Sequence, residues 1–170
     1  MHLRRICLLL GLCVLSINSF VAGFAEADEQ SCVYCGMYRS KFEHSWVIIT
    51  HEDGSSESVC SIHCAAIDMA LHTVKTIRKI TVGDYDTEKQ IDADTAYWVI
   101  GGDILGVMTA RAKWAFESKE PADDFIKQNG GRPATFEEVM KAVFEDMYED
   151  TLMIQKKRKM KRMKKMETTN

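Results

Sequence analysis

Hydrophobic and polar positions change rhythm several times along this chain, and each change marks a predicted element. Ser45 to His51 alternates around Trp46, Val47, Ile48 and Ile49, the period-two pattern of a half-buried strand. Asp53-Gly54 is a strong turn signal, so Glu57 to Cys60 reads as the returning strand of a hairpin. Ser61 offers an N-cap for a helix from Ile62 to about Thr73, with Ile62, Ala65, Ala66, Met69 and Ala70 on its inward face. Extended segments follow at Arg78 to Val82, Thr95 to Gly101 and Trp114 to Glu117, with Gly101-Gly102-Asp103 as a turn or bulge. Pro121 opens a helix to about Gln128, and Asn129-Gly130-Gly131 stops it. Thr135-Phe136-Glu137-Glu138 is a capping-box pattern for a last helix through Val139, Val143, Phe144 and Met147.

Two hairpin-then-helix units follow one another, which predicts an α+β fold of two small ββα-type units. The expected organisation is a Cys-rich unit over 28–77, a second unit over 78–150 and a basic, Met-containing tail over 151–170. Ahead of these, Met1 to Arg5 is a short basic start and Ile6 to Leu15 an apolar run too short to span a bilayer. Ala25-Glu26-Ala27 supplies small residues for cleavage, so 1–27 reads as a signal peptide and Asp28 as the first mature residue. Leu12 before Cys13 is too bulky for a lipoprotein signal. The expectation is therefore a soluble exported protein, placed in the periplasm.

Charge sharpens this picture. The whole chain has a formal charge of −3, but residues 28–155 carry 12 basic groups against 23 acidic ones. Eight further basic residues lie between Lys156 and Lys165. An acidic body speaks against nucleic-acid binding and favours the approach of cations or basic surfaces. The tail reads first as a solvated segment or an electrostatic tether to anionic lipid. Met160, Met163 and Met166, three apart, would also allow it to collect a soft cation.

Export of Cys7 and Cys13 with the signal leaves four cysteines, in the pairs Cys32-Val33-Tyr34-Cys35 and Cys60-Ser61-Ile62-His63-Cys64. In an oxidising compartment they could close as two disulfides. About 140 mature residues, however, build a core without covalent staples, which weakens that reading. As thiolates, four soft ligands select Cu(I), zinc or iron-sulfur chemistry. Gly36 tolerates the turn that would aim Cys32 and Cys35 as a two-toothed claw, and Cys64 in a first helical turn would be favoured as a thiolate. Met37 adds a thioether beside the claw, and thioethers suit Cu(I) far better than zinc. An isolated methionine is most often core packing, and His63 alone is more often an exposed helix-start residue than a ligand. His44, His51 and His72 read as surface or cap residues, and Met108 alone reads as core.

These residues carry a resemblance. Cys32-Val33-Tyr34-Cys35-Gly36-Met37, Trp46 on a strand, Asp53-Gly54 and Cys60-Ser61-Ile62-His63-Cys64 resemble the opening of the NosL family of nitrous oxide reductase accessory proteins. Ile91-Asp92-Ala93, Ala96 to Val99, Gly106-Val107-Met108, Ala115-Phe116, Ala122 to Phe125, Gly130-Gly131 and Phe136 to Val139 follow in the same order, over about Cys32 to Val143. The Cys35 to Cys64 stretch also resembles the TRASH and YHS metal-binding modules. The NosL resemblance implies a copper-binding metallochaperone that serves the copper-sulfur centre of nitrous oxide reductase in denitrification, with an α+β fold of two related units. Carried over by position, it makes the cysteine of the opening motif, Met37 and Met108 candidate ligands, whereas the pair Cys60 and Cys64 is found in only part of the family. Two features depart from the family pattern: Gly-Pro-Met-Gly is here Gly106-Val107-Met108-Thr109, and no lipobox is evident.

The candidate metal set is thus Cys32, Cys35, Met37, Cys60, His63, Cys64 and Met108. The leading expectation is a Cu(I) chaperone, not an enzyme, whose partners are a copper-receiving enzyme and a copper exporter, with acidic residues around the site assisting capture. A closed four-thiolate zinc module and a thiol-disulfide oxidoreductase are the alternatives. The last lacks the thioredoxin-like context in which an exchange-active pair begins a helix. No phosphate loop, nucleophile elbow or H-E-x-x-H helix is present.

Overall fold

The computed structural model describes residues 29–169, so the expected signal peptide 1–27, with Cys7 and Cys13, lies outside the described residues. The alternation around Trp46 becomes β1 (Val47–His51), and the turn at Asp53-Gly54 returns the chain as β2 (Ser56–Val59). The Asp53 carboxylate tightens that turn by accepting the Ser55 amide at 2.8 Å. Pairing is antiparallel with Val47 opposite Val59, which sends both valines into the core.

β3 (Ile77–Gly83) pairs with the other edge of β1, and β4 (Gln90–Asp92) completes a sheet of order β2-β1-β3-β4. A second sheet, of order β6-β5-β7, contains β5 (Tyr97–Ile100), β6 (Lys113–Phe116) and β7 (Arg132–Ala134). Three helices, α1 (Ile62–Leu71), α2 (Lys119–Asn129) and α3 (Phe136–Thr169), pack against them. The fold is α+β, as the sequence predicts. One core unites Ile49 and Val59 of the first sheet, and Trp46 just before it, with Trp98 of the second and Val139 and Val143 of α3.

Several expectations need correction. β4 and β7 escape the sequence reading because three residues are too few to show a period, and Pro133 argues against a strand except at an edge, where β7 lies. Ser61 occupies the N-cap of α1, but its hydroxyl makes no cap bond and lies 3.7 Å from the Cys60 sulfur. Ala70 is exposed, because α1 is buried on the faces carrying Cys64 and Asp68 and its last turn projects. His51, expected on the surface, is 2% exposed at the end of β1. The capping box at Thr135 and Glu138 forms as predicted, with both reciprocal bonds present.

The largest correction concerns residues 151–169. They continue α3 as one helix of 34 residues, about 50 Å long at the usual rise per residue. No glycine or proline interrupts residues 136–169, and Lys, Arg, Met and Glu are strong helix formers. The basic segment is therefore a helical extension of a core helix.

α3 is fastened by charge. The Asp146 carboxylate accepts Lys113 Nζ at 2.5 Å and Arg111 Nη2 and Nε at 2.8 Å each. Burial pushes this carboxyl up, but the hydrogen bonds from Arg111 and Lys113 outweigh it and hold the group below the usual carboxylate range. Lys113 has a side chain 1% exposed, so Asp146→Asn would leave a buried cation poorly compensated. The expected cost is about 3 kcal/mol in denaturant unfolding at neutral pH. A carboxyl depressed in the folded state contributes stability above its unfolded value, near 4, that is lost as pH falls through the folded value. The variant's deficit should therefore shrink in that acid window. Equal stability of the two proteins at pH 7 would refute this role for Asp146.

Candidate metal centre

Two separate stretches of chain build the centre. In the first, the amide of Cys32 donates to the Met37 carbonyl and that of Gly36 to the Cys32 carbonyl, both at 2.8 Å, closing a tight loop around Cys32 and Cys35. Gly36 turns the chain at φ +73°, a conformation that glycine adopts without a Cβ penalty. In the second, β2 ends at Val59 and delivers Cys60, and the first turn of α1 presents Cys64. The Tyr34 hydroxyl, inside the first loop, donates to Asp68 Oδ1 of α1 at 2.5 Å and so pins one stretch to the other. Desolvation, then the Asp68 carboxylate, push that hydroxyl's pKa up, which keeps it a donor.

The four sulfurs converge. Cys32, Cys35, Cys60 and Cys64 place their Sγ atoms within 4.8 Å of one another, the one such group among the described residues. Cys35 Sγ is 3.3 Å from Cys60 Sγ, which is 3.6 Å from Cys64 Sγ. All four are free thiols. Cys32, Cys60 and Cys64 are no more than 2% exposed, whereas Cys35 is half-buried. Hydrogen bonds from Cys35 and the other thiols push Cys32 down, while the hydrogen bond with Cys32 and burial push Cys60 and Cys64 up. Without a cation, four crowded sulfurs cannot all ionise; a bound metal supplies the compensating charge and displaces the protons.

Met37 and Met108 line, together with Cys35, a cavity of about 600 Å³ beside the sulfur cluster. Met108 is one of two non-glycine residues with positive φ among the described residues, at +62°, a costly conformation that turns up at functional sites. Its loop is held to α3 by the Ala110 amide, which donates to Asp150 Oδ1 at 2.9 Å. His63 is 2% exposed rather than on the surface, because α3 covers the start of α1. Its Nδ1 is 3.5 Å from Asp150 Oδ2, and burial pushes its pKa down although Asp150 opposes the shift. Its ring shares a smaller cavity with Cys35, Cys64 and Met108.

Tyr34, Asp68 and Arg158 escape the sequence reading. Asp68 has a signal in hindsight, as an acid amid an apolar helical stretch. Arg158, whose Nη2 is 3.4 Å from the Cys35 carbonyl, has none, since its contact depends on the unforeseen length of α3. The expected acidic surround is also corrected: Lys157, Arg158 and Lys161 line the cavity that Cys35 opens on, because α3 carries the basic segment back across the site.

Comparison with known proteins agrees with this architecture. The crystal structure of the copper chaperone NosL from Shewanella denitrificans matches at a TM-score of 0.53 and 22% identity, over 64% of this chain and 88% of that one. At that identity the likeness establishes the fold. No curated relative matches the chain. The NosL family model matches residues 24–144, which is most of the chain and includes all four clustered cysteines. The chain belongs to the NosL family.

Proposed function

We propose that this protein is an exported Cu(I) metallochaperone, which binds the ion as cargo and yields it, without turnover, to a copper enzyme such as nitrous oxide reductase. The observation that carries the reading is the convergence of four sulfurs from two distant stretches of chain within 4.8 Å. Soft thiolates suit Cu(I), and two thioethers on the neighbouring cavity extend the soft donor set outward. The membership in the NosL family and the copper-chaperone fold support the same choice.

Release follows from unequal burial. Three sulfurs are enclosed and Cys35 faces the cavity with Met37 and Met108, so an incoming ligand reaches the ion beside Cys35. Each new bond to copper replaces one from this chain, and the oxidation state does not change. Anaerobic competition of the reduced protein against a strong Cu(I) chelator tests the proposal. Tight, reversible binding of one ion supports it; no competition overturns it.

Zinc is the second reading, favoured by the closed four-thiol geometry that structural zinc sites use. A zinc module should purify with zinc and unfold on its removal, whereas a chaperone should remain folded without metal.

Peripheral membrane contact through the basic segment belongs to the same proposal. Beyond Gln155, α3 combines Lys and Arg with Met160, Met163 and Met166, each at least half exposed, a pairing that suits an anionic lipid surface. Each cation near such a surface contributes about 1 kcal/mol. Truncation after Gln155 is expected to release the protein from phosphatidylserine-containing vesicles at low salt. Undiminished sedimentation with those vesicles would refute the contact.

A further inference from the structure

The cavity beside Cys35 has a second character besides its sulfur rim. Phe42 and Trp114 line it as an apolar floor, and Ile104 and Leu105 stand at its edge, with Leu105 73% exposed. Its opposite wall is cationic, formed by Lys157, Arg158 and Lys161 of α3. Arg158 is engaged with the Cys35 carbonyl, while Lys157 and Lys161 enter no ion pair among the described residues. A body that carries a large acidic excess thus presents, in the largest of the openings beside Cys35, an apolar hollow under uncompensated positive charge.

We propose that this cavity is the docking site for an acidic peptide segment of the copper-receiving protein, which brings its own thiol or thioether to the ion there. The proposal rests on the Cu(I) reading and names the partner's chemistry. Charge complementarity selects the occupant: residues 28–155 are acidic and repel anionic partners, whereas the basic stretch of α3 attracts them and runs along this wall, so an acidic segment is steered to the sulfur cluster. The apolar floor takes the aliphatic part of the incoming residue, and the volume of about 600 Å³ holds a few side chains. In the transfer step, an incoming thiol forms a bond to copper as the bond from Cys35 breaks. The proton it gives up passes to the departing sulfur or to water, and copper remains monovalent.

Two synthetic peptides test this: a nine-residue segment with a central Met-Cys flanked by Asp and Glu, and its counterpart with Asn and Gln in their place. Stopped-flow transfer of Cu(I) from the loaded full-length protein should be about tenfold or more faster to the acidic peptide at low ionic strength. That advantage should vanish at high salt and in the Lys157→Gln, Lys161→Gln double variant, whose affinity in chelator competition should equal that of the unaltered protein. Equal rates for the two peptides, or a double variant that keeps the acidic preference, would overturn the proposal. Fluorescence anisotropy of the same labelled peptides with the reduced, metal-free protein separates docking from cargo. Preferential binding of the acidic peptide by a protein that does not compete for Cu(I) would uphold the docking site and sink the Cu(I) reading; copper binding without preference would do the reverse. If loss of the two lysines instead abolishes binding to anionic vesicles while both peptides behave alike, the wall serves lipid and the inference fails.

Discussion

Cys60→Ser is expected to lower Cu(I) affinity by more than about 100-fold. Loss of a supporting group around a metal commonly costs 10- to 100-fold, and loss of a direct soft ligand should exceed that. Cys60 is the stringent choice because its sulfur contacts both halves of the site, at 3.3 Å from Cys35 Sγ and 3.6 Å from Cys64 Sγ. Serine keeps the volume close and supplies an oxygen that monovalent copper binds poorly, so the fold should survive while the affinity falls. Chelator competition reads the affinity, and circular dichroism with denaturant unfolding of the metal-free protein verifies the fold. Met37→Leu makes the contrast: a thioether on the cavity rim should affect the rate of transfer more than the affinity. An affinity of Cys60→Ser within a few-fold of the unaltered protein would show that copper does not need the cluster.

Gly83→Ala should be the most damaging single change to the fold. At the end of β3, a Cβ at this position would lie 1.8 Å from the Glu43 carbonyl oxygen and 2.9 Å from its carbon. Both are backbone atoms that cannot rotate away. The same glycine donates its amide to the Trp46 carbonyl at 2.8 Å, so the chain before β1 is clasped tightly against β3. Ser45 belongs to that segment, and its hydroxyl donates to the Cys60 carbonyl at 2.8 Å, which ties the clasp to the cysteine cluster. Displacing it should cost about 3 kcal/mol or more in denaturant unfolding and weaken Cu(I) binding. Gly54→Ala is the control: nothing lies within 4 Å of its Cβ, and only the positive φ of +83° resists the change, at a cost of about 1 kcal/mol. Equal stability of the two variants would contradict the steric account.

Gly83 also shows where sequence reading stops. The period-two pattern around Trp46, the turn at Asp53-Gly54 and the capping box at Thr135 are local signals, and each produced the element it predicts. The cysteine spacing likewise anticipates the cysteine cluster, because a tight loop and a strand-to-helix junction are local geometries able to aim sulfur. What escapes is tertiary. A strand-end glycine does not name the backbone that presses on it, and a three-residue edge strand has no period to detect. The basic run from Lys156 reads as a tail because charge implies solvation, yet its helix propensity joined it to the core helix. That continuation reverses the sign of charge expected around the site, since it brings Lys157, Arg158 and Lys161 alongside Cys35. Tyr34 and Asp68 are distant in sequence, so their bond became visible only with the fold.

X-ray absorption at the copper edge of the anaerobically loaded protein tests the central claim most directly. A first shell made of sulfur alone, with a monovalent edge, that loses sulfur in Cys60→Ser is the predicted result. A shell dominated by nitrogen or oxygen, or one unchanged by that substitution, would contradict it.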